Sequence, residues 1–194
     1  ESWQQGIQIE AMEGEALYAA SGTNIVVEEK GQQNNSKPQF FFVTGGGEMN
    51  RYLSAGNFVP VPLMTGEAAG IYSFCRYKKG DILVAVGGSY LKPDARDSVA
   101  AYLNPETRQW QLSETQPGGY RSCVCLNKKA GLLATTGSNG TDISKDGGKN
   151  WVSIEASGIE IPEAPNFQRP YKLYGFGFNV CEFSENYFCR QDRV

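Results

Sequence analysis

Short apolar runs separated by glycine-rich or polar turns recur along the whole chain. Residues 132–136 form one such run, residues 137–140 are Gly-Ser-Asn-Gly, and residues 141–144 resume a strand-like pattern. The same order of strand, turn and strand is found in residues 15–29, 39–54 and 82–103. No long stretch shows the 3.6-residue period of an amphipathic helix. The pattern predicts an all-β chain that contains an internal repeat.

One run, S-x-D-x-G-x-x-W, carries the clearest local signal. It consists of Ser144, Asp146, Gly148 and Trp151. Glycine accepts a positive φ without steric cost, so Asp-Gly-Gly predicts a tight hairpin turn. We expect the Asp146 carboxylate and the Ser144 hydroxyl to accept hydrogen bonds within this turn, and Trp151 to bury its indole against a neighbouring element. The four residues are predicted to hold a turn; the alternative is a catalytic role for Asp146.

A degenerate copy of this run precedes it in the chain. Residues 103–110 align with residues 144–151, and the aligned residues Trp110 and Trp151 lie 41 positions apart. This spacing is close to the roughly 40–50 residues of a four-stranded propeller blade. Residues 1–194 are therefore predicted to form a partial β-propeller domain that contributes about three to four blades. The prolines of residues 160–170 predict a loop or an insertion.

A set of three or four blades leaves open sheet edges and does not close a ring. The chain is therefore expected to be the C-terminal part of a larger propeller. Closure of the ring requires N-terminal blades that are missing here, or a second chain.

Several short segments resemble, in their order, one known family. They are residues 19–25, 42–46, 84–88, 119–124, 141–148 and 177–181. Together they resemble the C-terminal half of bacterial β-propellers akin to the photosystem II stability/assembly factors, which carry sialidase-type Asp-box (BNR) repeats. Many Bacteroidetes relatives bear the label "oxidoreductase". The resemblance implies an exported, extracytoplasmic propeller of about twice this length that acts in assembly and binds another protein; it implies no reaction.

Composition excludes several function classes. The chain has no histidine, which removes the usual general base and the commonest metal ligand. A net charge of −3 gives no reason to expect nucleic acid, and no apolar run reaches the length of a transmembrane span. No Gly-x-Gly-x-x-Gly opens a helix, so no cofactor is predicted. No Cys-x-x-Cys pair occurs, so a metal site is not predicted either, and buried apolar thiols are expected at Cys75, Cys123, Cys125, Cys181 and Cys189.

Propellers place their binding residues on the central channel and on the loops of one face. Arg121 stands at the start of an apolar strand and is predicted to offer a bidentate donor to a carboxylate or phosphate, or else to pair with an acidic residue of a neighbouring blade. A polar turn at residues 21–24 is predicted to line the channel, or else to serve the turn alone. The candidate binding residues are Arg121, Tyr120, Ser122, Ser21, Thr23 and Asn24.

Two functions from different classes remain open. The absence of a catalytic constellation favours a non-catalytic scaffold that binds another protein. The alternative is a sialidase-like propeller that binds or cleaves glycans, which requires an arginine cluster for the substrate carboxylate. The arginines available for such a cluster are Arg51, Arg76, Arg121 and Arg169. Convergence of these arginines on one pocket would favour the glycan function, whereas arginines scattered over the protein would contradict it.

Overall fold

The computed structural model of the protein describes residues 8–18, 23–28, 39–54, 56–77, 82–128 and 130–154. These residues contain thirteen β-strands and no helix, so the prediction of an all-β chain is confirmed. Within the same residues, no helix offers the length and hydropathy needed to cross a membrane. The predicted loop at residues 160–170 lies outside the described residues.

The strands form three antiparallel sheets that follow one another along the chain. Sheet 1 contains β1 (Glu15–Ala16), β2 (Ile25–Glu28), β3 (Gln39–Gly46), β4 (Asn50–Ser54) and β5 (Asn57–Val61). Sheet 2 contains β6 (Ala69–Tyr77), β7 (Ile82–Ser89), β8 (Ala100–Leu103) and β9 (Trp110–Leu112). Sheet 3 contains β10 (Cys123–Asn127), β11 (Leu132–Gly137), β12 (Gly140–Ser144) and β13 (Val152–Ile154).

Sheets 2 and 3 are four-stranded meanders, and sheet 1 is a four-stranded meander with the short β1 added. In sheets 2 and 3 every strand pairs with the next strand in the chain, and β2 to β5 do the same in sheet 1. The short β1 pairs with the last two residues of β3, and β2 pairs with residues 39–42 along the same edge of that strand. Residues 15–20 were expected to form the first strand of a repeat unit, but within them only Glu15 and Ala16 are described as strand, and they pair with β3 rather than β2.

The three sheets pack face to face and share two apolar cores. The core between sheets 1 and 2 includes Phe41, Val43, Tyr52, Phe74, Leu83, Ala85 and Trp110. The core between sheets 2 and 3 includes Val84, Val86, Tyr102, Val124, Leu133 and Trp151. Successive side chains of a strand point to opposite faces, so β7 serves both cores with alternate residues. This double burial explains why β7 is continuously apolar rather than alternating.

The glycine pair Gly87–Gly88 was expected to form the turn after an apolar run, but both residues lie within β7. Gly87, and Gly137 at the end of β11, instead permit close contact between backbones. A Cβ atom on Gly87 would stand 1.8 Å from the carbonyl oxygen of Gly70, and one on Gly137 would stand 1.9 Å from that of Tyr120. Since neither contact leaves room for a side chain, glycine is required here for close approach.

Three cysteines fall within the described strands, and none of them forms a disulfide bond. Cys123 is buried, and Cys75 and Cys125 are half-buried. Burial raises the pKa of Cys75 to about 11, so this thiol stays protonated at neutral pH. Cys181 and Cys189 lie outside the described residues.

Candidate functional site

The S-x-D-x-G-x-x-W run forms the connection between β12 and β13. The Ser144 hydroxyl donates to Asp146 Oδ1 (2.8 Å) and accepts from the backbone N–H of Gly148 (3.0 Å). Asn150 donates to Asp146 through its backbone N–H and through its side-chain amide, both at 2.9 Å. Burial raises the pKa of Asp146, but these hydrogen bonds outweigh it and hold the pKa below its usual value. Both carboxylate oxygens of Asp146 therefore accept hydrogen bonds from the turn itself.

The tryptophan of this run is buried against sheet 2. Trp151 Nε1 donates to the Ser113 hydroxyl (3.2 Å), which donates in turn to the Gly148 carbonyl (2.6 Å). Trp110 occupies the corresponding place in sheet 2, at the end of the connection between the third and fourth strands. Its ring packs edge-on against Tyr52 of sheet 1, with centroids 5.7 Å apart. Each tryptophan thus packs its sheet against the preceding one.

Arg121, the first candidate for ligand binding, is an internal residue with only 1% of its surface exposed. Its Nε donates to Asp142 Oδ2 at 2.5 Å, and its Nη2 group pairs with the same oxygen. Its Nη1 donates to the Tyr120 carbonyl (2.8 Å) and to Asn139 Oδ1 (2.6 Å). The acidic partner lies on β12 of sheet 3, the sheet whose first strand β10 begins two residues after Arg121, and not on a neighbouring blade as the sequence alternative expected.

The other oxygen of Asp142 is also occupied. It accepts from the Gly118 backbone (3.1 Å) and from the Ser153 hydroxyl (2.6 Å). A buried ion pair is tolerated only when its remaining hydrogen-bonding capacity is satisfied in this way. The guanidinium and the carboxylate therefore neutralise each other inside sheet 3, and neither is directed to a ligand.

Asn139 extends this network to the connections between strands. Its amide Nδ2 lies 2.7 Å from the Pro93 carbonyl, 2.9 Å from Asp94 Oδ1 and 3.3 Å from the Gly118 carbonyl. These acceptors belong to the β7–β8 and β9–β10 connections, and Asn139 itself lies in the β11–β12 turn. Three connections are thereby fixed to one another at one end of sheets 2 and 3.

Two neighbours of Arg121 are buried as well. Tyr120 packs edge-on against Tyr72 (4.9 Å between centroids), and Tyr72 stacks on Tyr18 (4.1 Å). Burial raises the pKa of Tyr120 to about 12, so the phenol is neutral at physiological pH. The backbone N–H of Ser122 donates to the Thr136 carbonyl (2.8 Å).

The second group of candidates joins the first through one hydroxyl. Thr23 Oγ1 lies 2.6 Å from Ser73 Oγ, which accepts from the Val124 backbone N–H at 2.9 Å. This line of contacts connects Thr23, which lies just before β2, with β6 and β10, the first strands of the other two meanders. Asn24 is buried, and its carbonyl accepts from the Val43 backbone (3.0 Å). Ser21 lies outside the described residues.

Two exposed side chains near this network were not singled out from the sequence. Tyr90 and Leu91 directly follow β7 and are 55% and 65% exposed. Their connection is held by a turn from Ser89 to Lys92 and by the Pro93 carbonyl, which also accepts from the Tyr120 backbone (2.9 Å). The sequence signal that could have identified this exposed pair is two adjacent large apolar residues directly after the Gly-Gly-Ser that ends an apolar run.

The described arginines of the predicted cluster have separate partners. Arg51 pairs with Glu15 and lies 3.7 Å above the Phe58 ring, beside an open pocket of about 340 Å³. Arg76 lies 4.1 Å above the ring of Phe41, in the core between sheets 1 and 2. Arg169 lies outside the described residues.

Comparison with known proteins gives no assignment. No protein-family model matches this chain. No curated protein matches it, and no solved structure does. Among the described residues, no group of three or more histidine, cysteine, aspartate or glutamate side chains is arranged to hold a metal ion. The family resemblance of the sequence therefore remains a hypothesis.

The Glu15–Arg51 pair gives the fold a predicted dependence on pH. Burial raises the pKa of Glu15, but hydrogen bonds from Arg51, Thr44 and the Met12 backbone outweigh it and leave the pKa below its usual value. A lowered folded-state pKa stabilises the fold above the unfolded-state pKa, and this stabilisation is lost as pH falls through the folded-state value. We expect the free energy of unfolding to decline below about pH 5.

The variant Glu15→Gln isolates this contribution. At pH 7 it should lower the free energy of unfolding by about 1–3 kcal/mol, because charge-assisted hydrogen bonds to Arg51 are lost. Urea titrations between pH 3 and 7 should then show a shallower acid-induced decline than in the wild-type protein. Asp146→Asn serves as the comparison variant: the pKa of the Asp146 carboxyl is also lowered, so its loss should likewise make the acid-induced decline in the free energy of unfolding shallower. Parallel declines in Glu15→Gln and wild type would contradict the prediction.

Proposed function

We propose that the chain supplies three consecutive blades of a larger, Asp-box type β-propeller that acts outside the cytoplasm as a non-catalytic, protein-binding scaffold. Three successive four-stranded meanders packed face to face support the propeller arrangement. The hydrogen bonds of Ser144 and Asp146 support the Asp-box interpretation. The resemblance to photosystem II stability/assembly factors supports the location and a role in assembly.

The observation that carries the binding function is the exposed Tyr90–Leu91 pair on a fixed connection. Partner-binding energy is concentrated in a few large side chains, and tyrosine is enriched among them. A surface that is already ordered loses less conformational entropy on binding. Asn139 and Tyr120 hold the Pro93 carbonyl of this connection in place. Tyr90 and Leu91 thus have both the side chains and the support that a docking site requires.

The glycan alternative receives less support from the same residues. Recognition of a sugar carboxylate requires several guanidinium groups directed into one pocket. Arg121 is neutralised by Asp142, Arg51 by Glu15, and Arg76 lies over the ring of Phe41. These three arginines therefore contact three separate sets of partners rather than one shared pocket. Hydrolysis of a sialoside by the purified protein would overturn the non-catalytic proposal, and specific sialoside binding without hydrolysis would favour the glycan alternative.

Site-specific photo-cross-linking in the native cells tests the binding proposal. A photoreactive residue at Leu91 should give an adduct of one defined mass, identified by mass spectrometry. The matched control is Val152 on β13, which is 63% exposed but lies on the outer strand of sheet 3. Addition of Tyr90→Ser should reduce the adduct about tenfold or more, the loss expected for a hot-spot tyrosine. No adduct at Leu91, or the same adducts at Leu91 and Val152, would contradict the proposal.

A further inference from the structure

One face of sheet 1 is apolar yet exposed. Ile25, Val27 and Phe40 are 50%, 51% and 56% exposed. The register pairs Ile25 with Phe42 and Val27 with Phe40, so these residues share a single face. Val26 and Phe41, which alternate with them, point into the core with sheet 2. The exposed residues therefore lie on the side of sheet 1 that faces away from sheet 2.

The corresponding faces of the other two sheets are buried. On sheet 2, Phe74 and its cross-strand partner Ala85 pack towards sheet 1. On sheet 3, Val124 packs towards sheet 2, together with Leu133 on the next strand. Each sheet thus uses the side chains of its first two strands to cover the sheet that precedes it in the chain. Sheet 1 carries the same kind of face, but no described sheet precedes it.

The strand sequences give a second, independent argument. A sheet with one solvated face alternates apolar and polar residues, whereas a strand buried on both faces is continuously apolar. Residues 25–27 are Ile-Val-Val and residues 40–43 are Phe-Phe-Phe-Val, as continuous as the Leu-Val-Ala-Val of residues 83–86 in the doubly buried β7. Residues 9–11 and 15–17 line a pocket with Phe42, Thr44, Arg51 and Phe58, so they cover only the other part of this face.

We propose that Ile25, Val27 and Phe40 form a docking surface for the apolar face of a fourth antiparallel sheet, supplied by polypeptide that precedes residue 1 of this chain. The inference rests on the proposed propeller arrangement and extends it by naming the surface and its occupant. The occupant is a preceding sheet because each described interface joins a sheet to the one before it. Its contact face must be apolar, since the surface offers it only aliphatic and aromatic side chains.

A single charge placed on this surface tests the proposal. Val27→Arg is compared in the complete gene product and in the 194-residue chain, with Val152→Arg as the control at another exposed valine. In the complete product, Val27→Arg should lower the thermal midpoint by about 5–10 °C, because an unpaired charge is forced into an apolar interface. In the 194-residue chain it should shift the midpoint by about 1 °C or less. Val152→Arg should shift the midpoints of the two proteins equally, because Val152 lies on the last strand of sheet 3 and not on sheet 1.

Every other result overturns the proposal. Equal shifts in the two proteins mean that no preceding sheet covers Val27, and a gene product without preceding residues removes the occupant. A dimer of the 194-residue chain that Val27→Arg converts to a monomer assigns the surface to a second copy. If Val27→Arg does not fold, wild-type amide exchange decides: residues 25–28 and 39–42 should exchange at least about tenfold more slowly in the complete product. If the Val27→Arg experiment contradicts the docking surface but cross-linking at Leu91 still gives its defined adduct, the protein-binding scaffold proposal is unaffected.

Discussion

Asp142→Asn is expected to lower the free energy of unfolding by about 3–5 kcal/mol, the cost of removing one partner of a buried ion pair. The substitution keeps the shape of the side chain but leaves the Arg121 charge without its counter-ion, at a position only 1% exposed. The loss is a large part of a typical domain's stability, so the midpoint of urea unfolding should move to a clearly lower concentration.

Two further variants separate the ion pair from the surrounding polar network. Asp94→Asn changes an exposed carboxylate that accepts only from Asn139 among the described residues, and it should alter stability by about 0.5 kcal/mol or less. The double variant Arg121→Met/Asp142→Leu removes both charges and should be more stable than Asp142→Asn. If Asp142→Asn were no more costly than Asp94→Asn, Arg121 would have another source of charge compensation, and its availability to a ligand would have to be reconsidered.

Local patterns were sufficient to predict the all-β class, several of the strands and the Asp146 turn, but not β5, β6, β9 or β13. Short apolar runs that lead into glycine or polar turns are short-range features, and β3, β7 and β11 coincide with three of them. The hydrogen bonds of Ser144 and Asp146 join residues at most four positions apart. Chemistry of this range depends little on the rest of the fold, which is why the sequence was informative here.

The ion-pair partner of Arg121 could not be predicted in the same way. Its partner Asp142 is 21 positions away, and the two meet only after β10, β11 and β12 have paired in register. The sequence offered an external anion or a neighbouring blade as partner, whereas the pairing is internal to sheet 3. The connection that carries Tyr90 and Leu91 also depends on a distant residue, because Asn139 donates to its Pro93 carbonyl. Long-range register decides which polar groups are neutralised and which apolar groups remain exposed.

Trp151→Ala is expected to cost about 3–5 kcal/mol, since it opens a cavity between sheets 2 and 3 where the indole is buried with Val84 and Leu133. Trp110→Ala should have a similar cost at the interface of sheets 1 and 2. Replacement by phenylalanine separates packing from hydrogen bonding. Trp151→Phe also removes the bond to Ser113, whereas Trp110 Nε1 has no acceptor among the described residues.

Trp151→Phe should therefore destabilise the protein by about 1 kcal/mol more than Trp110→Phe, the net value of one hydrogen bond. Urea unfolding of the four variants measures both differences. If the two alanine variants cost less than about 1 kcal/mol, the tryptophans would not hold successive sheets together, and the repeat inferred from their spacing would lose its structural basis. If instead both alanine costs are large and only the phenylalanine costs differ, the aligned tryptophans share one packing role, and the Ser144–Trp151 turn adds a polar contact that its degenerate copy lacks.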